Sequence, residues 1–442
     1  MIEIRAIGGY NEVGKNMTAI RIDDEVIICD IGVHLENYIR LTDDDDLLEV
    51  SAEDLTKVGA IPDISTLGNW KELVKAIIPT HAHLDHVGAL PFLINSFHCD
   101  VICTPFTAEV IKGMIAVERI KTHNKIRTLH INSCLKITKN ITVEFINVTH
   151  STPQTALLAI HTKYGTILYA NDFKFDLYPT LGKKPDFERL ENLGNVLAIV
   201  VDSTYAKDER KMPSESVAKQ MMKDILLGTH SKGKAIVVTT FSSHLARLKT
   251  VLEFSEKLGR KVVFLGRSLE KYIRAGEHTG IISFSKHSEI VSFRRKINKK
   301  LREIMEKGKE KYVLVVTGHQ GEPKAILSRM AKGETPFKFS KEDFIVFSCK
   351  VIPTQLNAEN RNALEEELKK TGVRLFKDIH VSGHSAREDL KDLLIMIKPK
   401  NVIPAHCSKE MKEGMAELCY EMGYKKENIR LIRDGDTTVI QS

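Results

Sequence analysis

The segment Thr80-His81-Ala82-His83-Leu84-Asp85-His86 follows an apolar run, Ala76–Ile78, and is the most informative part of the chain. Imidazole nitrogens and carboxylate oxygens are the usual ligands of zinc-type ions. Four such side chains within six residues, directly after a strand, can line a loop that faces one point. The spacing predicts that the first two histidines bind one ion and that Asp85 and the last histidine bind a second.

Other metal-capable side chains also follow predicted strands. The residues that do so are Asp30, His150, Asp172, Asp202, His384 and His406, together with His81. The corresponding strands are predicted at Val26–Cys29, Thr142–Val148, Thr166–Ala170, Leu197–Val201, Val373–Val381, Val402–Pro404 and Ala76–Ile78. Because open sheets place ligand chemistry outside the ends of their strands, this repeated placement predicts one shared site.

Three of these residues are placed to complete a two-ion site. His150 would complete the first ion and His406 the second, while Asp172 supplies a bridging carboxylate. Taken alone, each of these histidines also fits a structural role, and Asp30 also fits an ordinary turn. Beside the His81–His86 motif, we interpret Asp30 as the hydrogen-bond partner that orients a ligand imidazole. Two ions about 3.5–4 Å apart can activate a bridging water and clamp both oxygens of an in-line displacement at phosphorus.

Length and composition predict a soluble, layered α/β protein with more than one domain. The 442 residues are 42% hydrophobic and 28% charged, and no run approaches the ~20 apolar residues of a membrane helix. Seven scattered cysteines, an odd number, indicate reduced thiols in the cytoplasm. The pattern of His and Asp residues after predicted strands occurs in 30–202 and 380–406, and the part of the chain between them has no comparable pattern. We therefore predict a first domain formed by 1–205 and 372–442, with a second domain, 206–371, inserted into it.

The charge pattern permits a polyanionic partner without requiring one. The net charge is +7 and the pI is near 8.8. The basic run Arg294–Lys311 is best interpreted as the solvated face of an amphipathic helix, with Ile297, Leu301 and Ile304 as its buried stripe. We prefer this interpretation to phosphate binding unless the face borders the active site. The acidic run Asp43–Asp46 predicts a solvated loop.

The His81–His86 motif resembles the His-x-His-x-Asp-His motif of the metallo-β-lactamase superfamily. The flavodiiron branch replaces the second histidine with glutamate, so His83 argues against that branch. Asp202, His384 and His406 resemble the β-CASP nuclease branch. In that branch a histidine at the last position accompanies RNA cleavage, whereas valine is typical of the DNA enzymes.

Nearly the whole chain is similar to the ribonuclease J family, in its shorter archaeal form. The matching stretches are Gly8–Met17, His81–Leu90, Asp172–Asp176, Pro213–Glu215, Leu265–Leu269, Thr317–Pro323 and His380–His384. The resemblance implies a metallo-β-lactamase αββα sandwich with an inserted β-CASP α/β domain, in agreement with the discontinuous pattern. The start and end of the chain lead us to expect neither KH domains nor the extra C-terminal domain of bacterial relatives.

The resemblance also implies a zinc-dependent ribonuclease with two Zn²⁺ ions, although other divalent metals are possible. It assigns His81, His83, His150 and Asp172 to one zinc, and Asp85, His86, Asp172 and His406 to the other. Asp85, Asp202 and His384 are the implied catalytic residues. His384, supported by Asp202, would act near the leaving oxygen as a proton donor or a phosphate ligand, and these two roles need different protonation states.

Ribonuclease J enzymes typically trim RNA from a 5′ end and hold its monophosphate in a pocket. The candidate phosphate-binding residues here are Ser242, Ser243, His244, Arg267, Ser268, His380, Ser382 and Gly383. Arginine forks, hydroxyls and turn amides suit phosphate groups, although each such residue alone is more often a helix cap or a surface contact. We expect a cytoplasmic, homodimeric 5′-to-3′ exoribonuclease that acts on single-stranded RNA and contacts no membrane. Cys407 stands where relatives usually have glycine, and its thiolate would be able to compete for zinc.

Other functions fit parts of the pattern. An RNA endonuclease of the same family would use the same metal centre. A small-molecule metallo-hydrolase would need neither the inserted domain nor the Asp202–His384 pair. A non-catalytic subunit of a processing complex would lose metal ligands, and all the expected types are present. A DNA nuclease is disfavoured only by His406.

Overall fold

The computed structural model describes residues 1–42 and 50–441, so the predicted loop at Asp43–Asp46 lies outside the described residues. The described strands are β1 Ile2–Gly8, β2 Met17–Ile22, β3 Glu25–Cys29, β4 Val74–Ile78, β5 Asp100–Cys103, β6 Ile126–Thr128, β7 Ser133–Lys136, β8 Thr142–Asn147, β9 Ala156–Thr162, β10 Gly165–Ala170, β11 Val196–Asp202, β12 Ile236–Thr239, β13 Lys261–Leu265, β14 Ser288–Val291, β15 Tyr312–Val316, β16 Phe344–Phe347, β17 Arg374–Phe376, β18 Asn401–Ala405 and β19 Thr437–Ile440.

The described α-helices are α1 Leu35–Thr42, α2 Ala52–Lys57, α3 Leu84–Val87, α4 Leu90–Leu93, α5 Pro105–Val117, α6 Phe187–Glu191, α7 Glu215–Leu226, α8 Leu245–Lys257, α9 Arg267–His278, α10 Arg294–Lys307, α11 Ile326–Ala331, α12 Gln355–Lys370, α13 Arg387–Ile397 and α14 Lys409–Glu421. Short 3₁₀ helices form at Ile64–Leu73, Ile94–Ser96, Phe284–Lys286, Lys309–Lys311 and Lys426–Asn428. No helix in the described ranges is long and apolar enough to span a bilayer.

Residue contacts divide the chain into two units, and the second interrupts the first. The first unit contains Met1–Leu177, Lys183–Met212 and Ser382–Ser442, and the inserted unit contains Tyr178–Gly182 and Pro213–Val381. The borders that the sequence suggests for the inserted domain, 206 and 371, stay a prediction.

The first unit is built on two sheets that pack face to face. One sheet has the strand order β19-β1-β2-β3-β4-β5-β6 and the other β18-β11-β10-β9-β8-β7. A single hydrophobic core contains residues of both, such as Ile27 from β3 and Phe145 from β8. A second core lies on the other face of the β18–β7 sheet, where Leu190, Leu393 and Leu418 cover it from α6, α13 and α14. Burial of apolar side chains on both faces of a sheet is what stabilises such a layered fold.

Parallel pairing brings three predicted site residues to one edge of the second sheet. β10 pairs in parallel with β11, and β11 with β18. Asp202 ends β11, and Asp172 and His406 come just after β10 and β18. Neighbouring strands are about 4.8 Å apart, so side chains at these three ends lie close together. Sheet topology therefore assembles residues that are far apart in sequence.

One predicted strand, Val373–Val381, is wrong in extent. The strand β17 covers only Arg374–Phe376. Asp378 has a φ of 59°, in the left-handed region that an extended strand cannot contain. His384 therefore follows an irregular segment rather than a strand, because the local backbone overrides the apolar pattern of the sequence.

The inserted unit contains one parallel sheet, in the order β14-β13-β15-β12-β16-β17. Its four central strands, β13, β15, β12 and β16, are short and almost entirely buried, which is typical of parallel sheets covered by helices on both faces, whereas the edge strands β14 and β17 are only partly buried. The predicted helix in the basic run forms as α10, with Ile297, Leu301 and Ile304 in the core.

Candidate metal centre

The loop after β4 carries the His81–His86 motif and is fixed by its backbone. The amide of Ile31 donates to the carbonyl of His86 at 2.8 Å. Gly32 approaches the same loop so closely that a Cβ atom there would lie 1.6 Å from the carbonyl oxygen of Asp85. Only glycine permits this contact, which holds the motif against the loop after β3.

Three imidazoles and one carboxylate form the first group of possible metal ligands. Its members are His81, His83, His150 and Asp172, whose donor atoms all lie within 4.8 Å of one another. His83 Nδ1 is 3.0 Å from the Nε2 atoms of both His81 and His150. Lone pairs of neutral imidazoles at this distance repel unless a proton or a cation lies between them. The geometry thus suits a cation.

The second group shares Asp172 with the first. Its members are Asp85, His86, Asp172 and His406, again within 4.8 Å of one another. His86 Nε2 lies 3.2 Å and His406 Nε2 lies 3.7 Å from Asp172 Oδ1. By contrast, His81 and His150 face the other oxygen, Oδ2, each at 3.5 Å. One oxygen of Asp172 therefore faces each group, which is the arrangement of a bridging carboxylate.

The hydrogen bonding of Asp172 tests whether these residues fit metal ions. Both of its carboxylate oxygens are buried and accept no hydrogen bond, although His86 Nε2 is within 3.2 Å of one of them. A buried carboxylate without hydrogen bonds is costly, and metal coordination is the usual compensation. Asp172 also has a φ of 52° and His406 a φ of 53°, strained values that concentrate at functional sites. The donor set fits divalent metal ions.

Protonation states also suit coordination. Burial lowers the pKa of His81 and of His150 well below the ordinary value, and it lowers the pKa of His83 to about 4. These imidazoles are therefore neutral near pH 7, with a lone pair to donate. Burial opposes ionisation of Asp172, but the neighbouring histidines, His406 first, hold its pKa well below the ordinary value.

A buried network around Asp30 orients two of the ligand imidazoles. Asp30 Oδ2 accepts from His86 Nδ1 at 2.8 Å and from the Tyr169 hydroxyl at 3.0 Å. The hydroxyl of Thr80 donates to Asp30 and lies 3.0 Å from His81 Nδ1. Fixing Nδ1 in this way directs Nε2 toward the candidate ion. This is the geometry expected for the orienting role of Asp30.

Two further contacts to possible metal ligands were not predicted from the sequence. The side-chain amide of Asn16 contacts His406 Nδ1, with Nδ2 at 2.7 Å and Oδ1 at 3.0 Å, and its Nδ2 donates to the carbonyl of Asp85 at 3.0 Å. His150 Nδ1 donates to the carbonyl of Gly383 at 2.8 Å. Asn16 stands in the family-like stretch Gly8–Met17, but nothing in its sequence position indicates which histidine it contacts.

His384 and Asp202 form a pair beside the bridging carboxylate. His384 Nδ1 donates to Asp202 Oδ2 at 2.8 Å, and its Nε2 lies 3.9 Å from Asp172 Oδ2. Burial favours the neutral ring, but the carboxylates of Asp172 and Asp202 outweigh it and raise the pKa of His384 to about 10. A cation bound at Asp172 would counteract part of this effect and bring the pKa of His384 back toward neutrality.

The predicted phosphate-binding residues of the inserted unit have mixed surroundings. Ser242 and Ser268 share a hydrogen bond of 3.1 Å, and the exposed Arg267 begins α9. His244 caps α8 and lies 3.4 Å from Glu215, so it already has a structural role, and Ser243 beside it is buried. These residues all follow the carboxyl ends of β12 or β13, where parallel sheets bind ligands.

The other three candidates lie in 380–383. His380 belongs to the inserted unit, its Nδ1 is buried without a hydrogen bond, and burial lowers its pKa to about 2, so it is neutral. In the first unit, the Ser382 hydroxyl accepts from the His384 amide at 3.2 Å. A Cβ atom at Gly383 would lie 2.9 Å from His150 Nδ1, so glycine is needed there.

Cys407 does not join the ligand groups. Among the described residues, three groups of donor atoms lie within 4.8 Å of one another, the third formed by Asp172, Asp202 and His384, and none of them includes the Cys407 sulfur. Burial raises the pKa of this thiol to about 12 while no ion is bound. Competition by Cys407 for zinc therefore stays a prediction that these donor groups do not require.

The fold and the donor set define a class of protein, a metal-dependent hydrolase of the metallo-β-lactamase fold with an inserted β-CASP domain. Residues 66–241 match the beta-lactamase superfamily domain, 233–365 match the ribonuclease J beta-CASP domain, and 372–431 match the Zn-dependent metallo-hydrolase RNA specificity domain. More particularly, the chain belongs to the ribonuclease J family, as its relatives show.

Relatives in archaea and bacteria match almost the whole chain. It is 41% identical to ribonuclease J of Methanocaldococcus jannaschii over 98% of both chains. It is 40% identical to ribonuclease J of Pyrococcus abyssi over 96% of this chain and 94% of that one. Ribonuclease J 1 of Streptococcus pyogenes is 32% identical over 100% of this chain and 75% of its own. A crystal structure of a protein of unknown function from Enterococcus faecalis V583 shares the fold over 99% of both chains, with a TM-score of 0.66 at 16% identity.

These matches confirm the predicted family, the fold class and a metal-dependent ribonuclease that binds RNA.

Proposed function

We propose that this chain is a zinc-dependent 5′-to-3′ exoribonuclease that hydrolyses single-stranded RNA with a 5′ monophosphate. Membership of the ribonuclease J family supports the RNA substrate. The observation that carries the hydrolytic centre is the buried Asp172 carboxylate, which accepts no hydrogen bond and faces one group of donors with each oxygen.

We assign one Zn²⁺ to His81, His83, His150 and Asp172, and a second to Asp85, His86, Asp172 and His406. Bound divalent ions supply Lewis acidity and positive charge for phosphodiester hydrolysis. Nitrogen-rich donor sets with carboxylates favour zinc over magnesium, which prefers oxygen ligands. Asp30 orients His86, and Thr80 orients His81.

We assign proton donation to His384. Hydrolysis adds water across a P–O bond, and the leaving oxygen needs a proton as that bond breaks. Asp202 accepts from the Nδ1–H of His384, which leaves Nε2 facing Asp172, where it would donate a proton to the leaving oxygen of a bound phosphodiester. The two carboxylates favour the protonated imidazole that a donor requires.

Phosphate contacts are assigned to two groups of side chains. Ser242, Ser268 and Arg267 would hold the 5′ monophosphate, and the buried Ser243 and His244 would support them. His380, Ser382 and Gly383 would lie along the scissile strand. A terminal phosphate carries more charge than an internal one, so an arginine and hydroxyl donors would favour it.

We also propose a homodimer on the family resemblance alone, and sedimentation analysis at micromolar concentration tests it.

The test is a timed digestion of single-stranded RNA that carries a labelled 5′ monophosphate, with and without chelator. We expect chelator-sensitive release of labelled mononucleotide before any longer labelled fragment. A matched RNA with a 5′ hydroxyl should be degraded more slowly. Discrete internal fragments that appear first would establish an endonuclease and contradict the pocket assignment. Intact RNA with both ions bound would contradict the proposed activity.

A further inference from the structure

The exposed side of helix α10 carries a concentration of cations that the metal centre does not explain. Arg295, Lys299 and Arg302 are exposed and recur at intervals of four and three residues, so they form one ridge opposite the buried Ile297 and Leu301. In the described part of the chain, none of these three cations forms an ion pair within 4.0 Å. By contrast, Lys300 on the inner side pairs with Glu289 and Glu303.

The distribution of charge along α10 is electrostatically unfavourable when nothing is bound to the helix. Its first turn contains Arg294, Arg295 and Lys296 and no acidic residue. Cations at the amino end of a helix oppose the helix dipole, and like charges four residues apart, such as Arg295 and Lys299, repel each other. A bound polyanion reverses both penalties.

Two neighbouring side chains add features of a nucleic-acid surface. Phe293, directly before the helix, is 59% exposed, and Lys296 Nζ lies 5.6 Å from its ring centre. An exposed aromatic ring among cations is a platform on which RNA bases stack. Arg329 is buried near Arg294, and its Nε and Nη2 donate no hydrogen bond, with Glu334 only at 3.7 Å from Nε.

Sheet register places this surface beside the proposed phosphate residues. β13 and β14 are parallel neighbours, and Leu265 pairs with Val291. Arg267 follows Leu265 by two residues, and Phe293 follows Val291 by two residues. The start of α10 therefore lies at the same carboxyl edge of the sheet as Arg267 and Ser268. This edge is where parallel sheets bind ligands. The metal donors, in contrast, all belong to the other unit.

We propose that Phe293 and the basic residues Arg294, Arg295, Lys296, Lys299 and Arg302 form a docking surface for single-stranded RNA, separate from the residues that cleave it. The inference rests on the proposed ribonuclease function. The cations contact phosphates without regard to sequence, and Phe293 stacks on a base. The surface increases the affinity for long RNA, whereas an RNA of a few nucleotides, held at the catalytic centre, gains little from it.

The test compares two triple variants of the full-length protein. The first, R295Q/K299Q/R302Q, neutralises the ridge. The control, K232Q/K261Q/K311Q, removes the same charge from exposed lysines at the opposite, amino edge of the same sheet. Fluorescence anisotropy with a 30-nucleotide RNA in chelator gives affinity without cleavage, and turnover of a trinucleotide with a 5′ monophosphate is measured after reloading with zinc.

We expect the ridge variant to bind long RNA about tenfold more weakly at 0.1 M salt. We also expect its salt slope, d log K/d log[salt], to be smaller by about 2, since each lost phosphate contact contributes about 0.7. Trinucleotide turnover should stay within about twofold of the unmodified protein. F293A should weaken binding about fivefold, and F293Y should restore it, because tyrosine retains the stacking face.

The outcomes separate this inference from the function on which it rests. If the unmodified protein cleaves RNA but both triple variants bind long RNA alike, the docking surface is overturned. The docking surface is also overturned if trinucleotide turnover of the ridge variant decreases by the same factor as its affinity for long RNA. If RNA binding is unchanged while polyglutamate binds the ridge, the face belongs to an acidic protein partner and the proposal fails. If the unmodified protein cleaves no RNA, the proposed function fails instead.

Discussion

At the scale of single residues, Asp172 is the side chain on which the whole centre depends. Asp172→Asn keeps the shape but removes the negative charge that both donor groups share. We expect metal content to fall and RNA cleavage to decrease by about a thousandfold or more, since several kcal/mol of charge stabilisation are lost. Elemental analysis and a cleavage assay measure the two effects. Asp392→Asn, at a half-exposed carboxylate paired with Lys211, is the control and should change neither.

The Asp202–His384 pair predicts a pH dependence. A proton donor acts only while protonated, so the rate falls as pH rises through the pKa of His384. Asp202 favours the protonated ring, and Asp202→Asn should therefore move this decline to lower pH, by about 1 unit. The measurement is kcat against pH at saturating metal. A decline that persists unchanged in His384→Gln would mean that another group titrates.

Asn16 provides a test of indirect positioning. Asn16→Ala removes the amide that meets His406 Nδ1, while the metal ligands themselves are unchanged. Loss of an orienting partner typically weakens metal affinity about 10- to 100-fold. Competition with a chelating dye should show this loss for one ion and leave the other near its original affinity. Equal weakening of both ions would indicate a general disturbance of the loop.

At the scale of elements, a buried arginine links α7 to α8 in the inserted unit. Arg247 is fully buried, donates to both carboxylate oxygens of Glu215 and donates to the carbonyl of Ile379. Arg247→Met removes this cation from a buried carboxylate, and we expect a loss of about 3–5 kcal/mol in the free energy of unfolding. Denaturant titration measures it. Lys219→Met, which breaks the half-exposed Lys219–Glu253 bridge between the same helices, should cost at most about 1 kcal/mol.

The same pair gives a pH-dependent contribution to stability. Burial alone would raise the pKa of Glu215, but His244 and Arg247 lower it below the ordinary value. A group whose folded pKa is depressed stabilises the protein above its unfolded pKa and loses that contribution as pH falls. The difference in unfolding free energy between the unmodified protein and Arg247→Met should therefore shrink below about pH 4. A constant difference would contradict the charge-pair explanation.

At the scale of the whole molecule, the centre joins distant parts of the chain through its ligands. Its donors come from 81–86, 150, 172 and 406. Ions that bind only the folded form stabilise it, by about 2.7 kcal/mol at a free concentration of 100 times Kd. Chelation should thus lower Tm, and Zn²⁺ should restore it better than Mg²⁺. Calorimetry measures the shift. Asp172→Asn should show little response to either treatment, and an equal response would place the stabilising ions elsewhere.

Local patterns in the sequence predict the donor types of the centre and the class of fold. The His81–His86 motif places several donors on one short loop, and strand-end positions are readable because apolar β-rich runs stop abruptly at Asp or His. The observed strands β8 and β10 differ from the predicted ones by one residue at one end, and β11 and β18 by one residue at each end. These features are local, so the residues that create them are neighbours in the chain.

The tertiary structure adds how the two donor groups come together and which side chains orient them. Asp172 turns one oxygen to each donor group because parallel pairing brings its strand end beside those of Asp202 and His406. The contact of Asn16 with His406 spans 390 positions, and no local pattern encodes such a contact. The irregular segment before His384 followed neither propensity nor apolar pattern, because long-range hydrogen bonds, such as that from Arg247 to Ile379, fix its backbone.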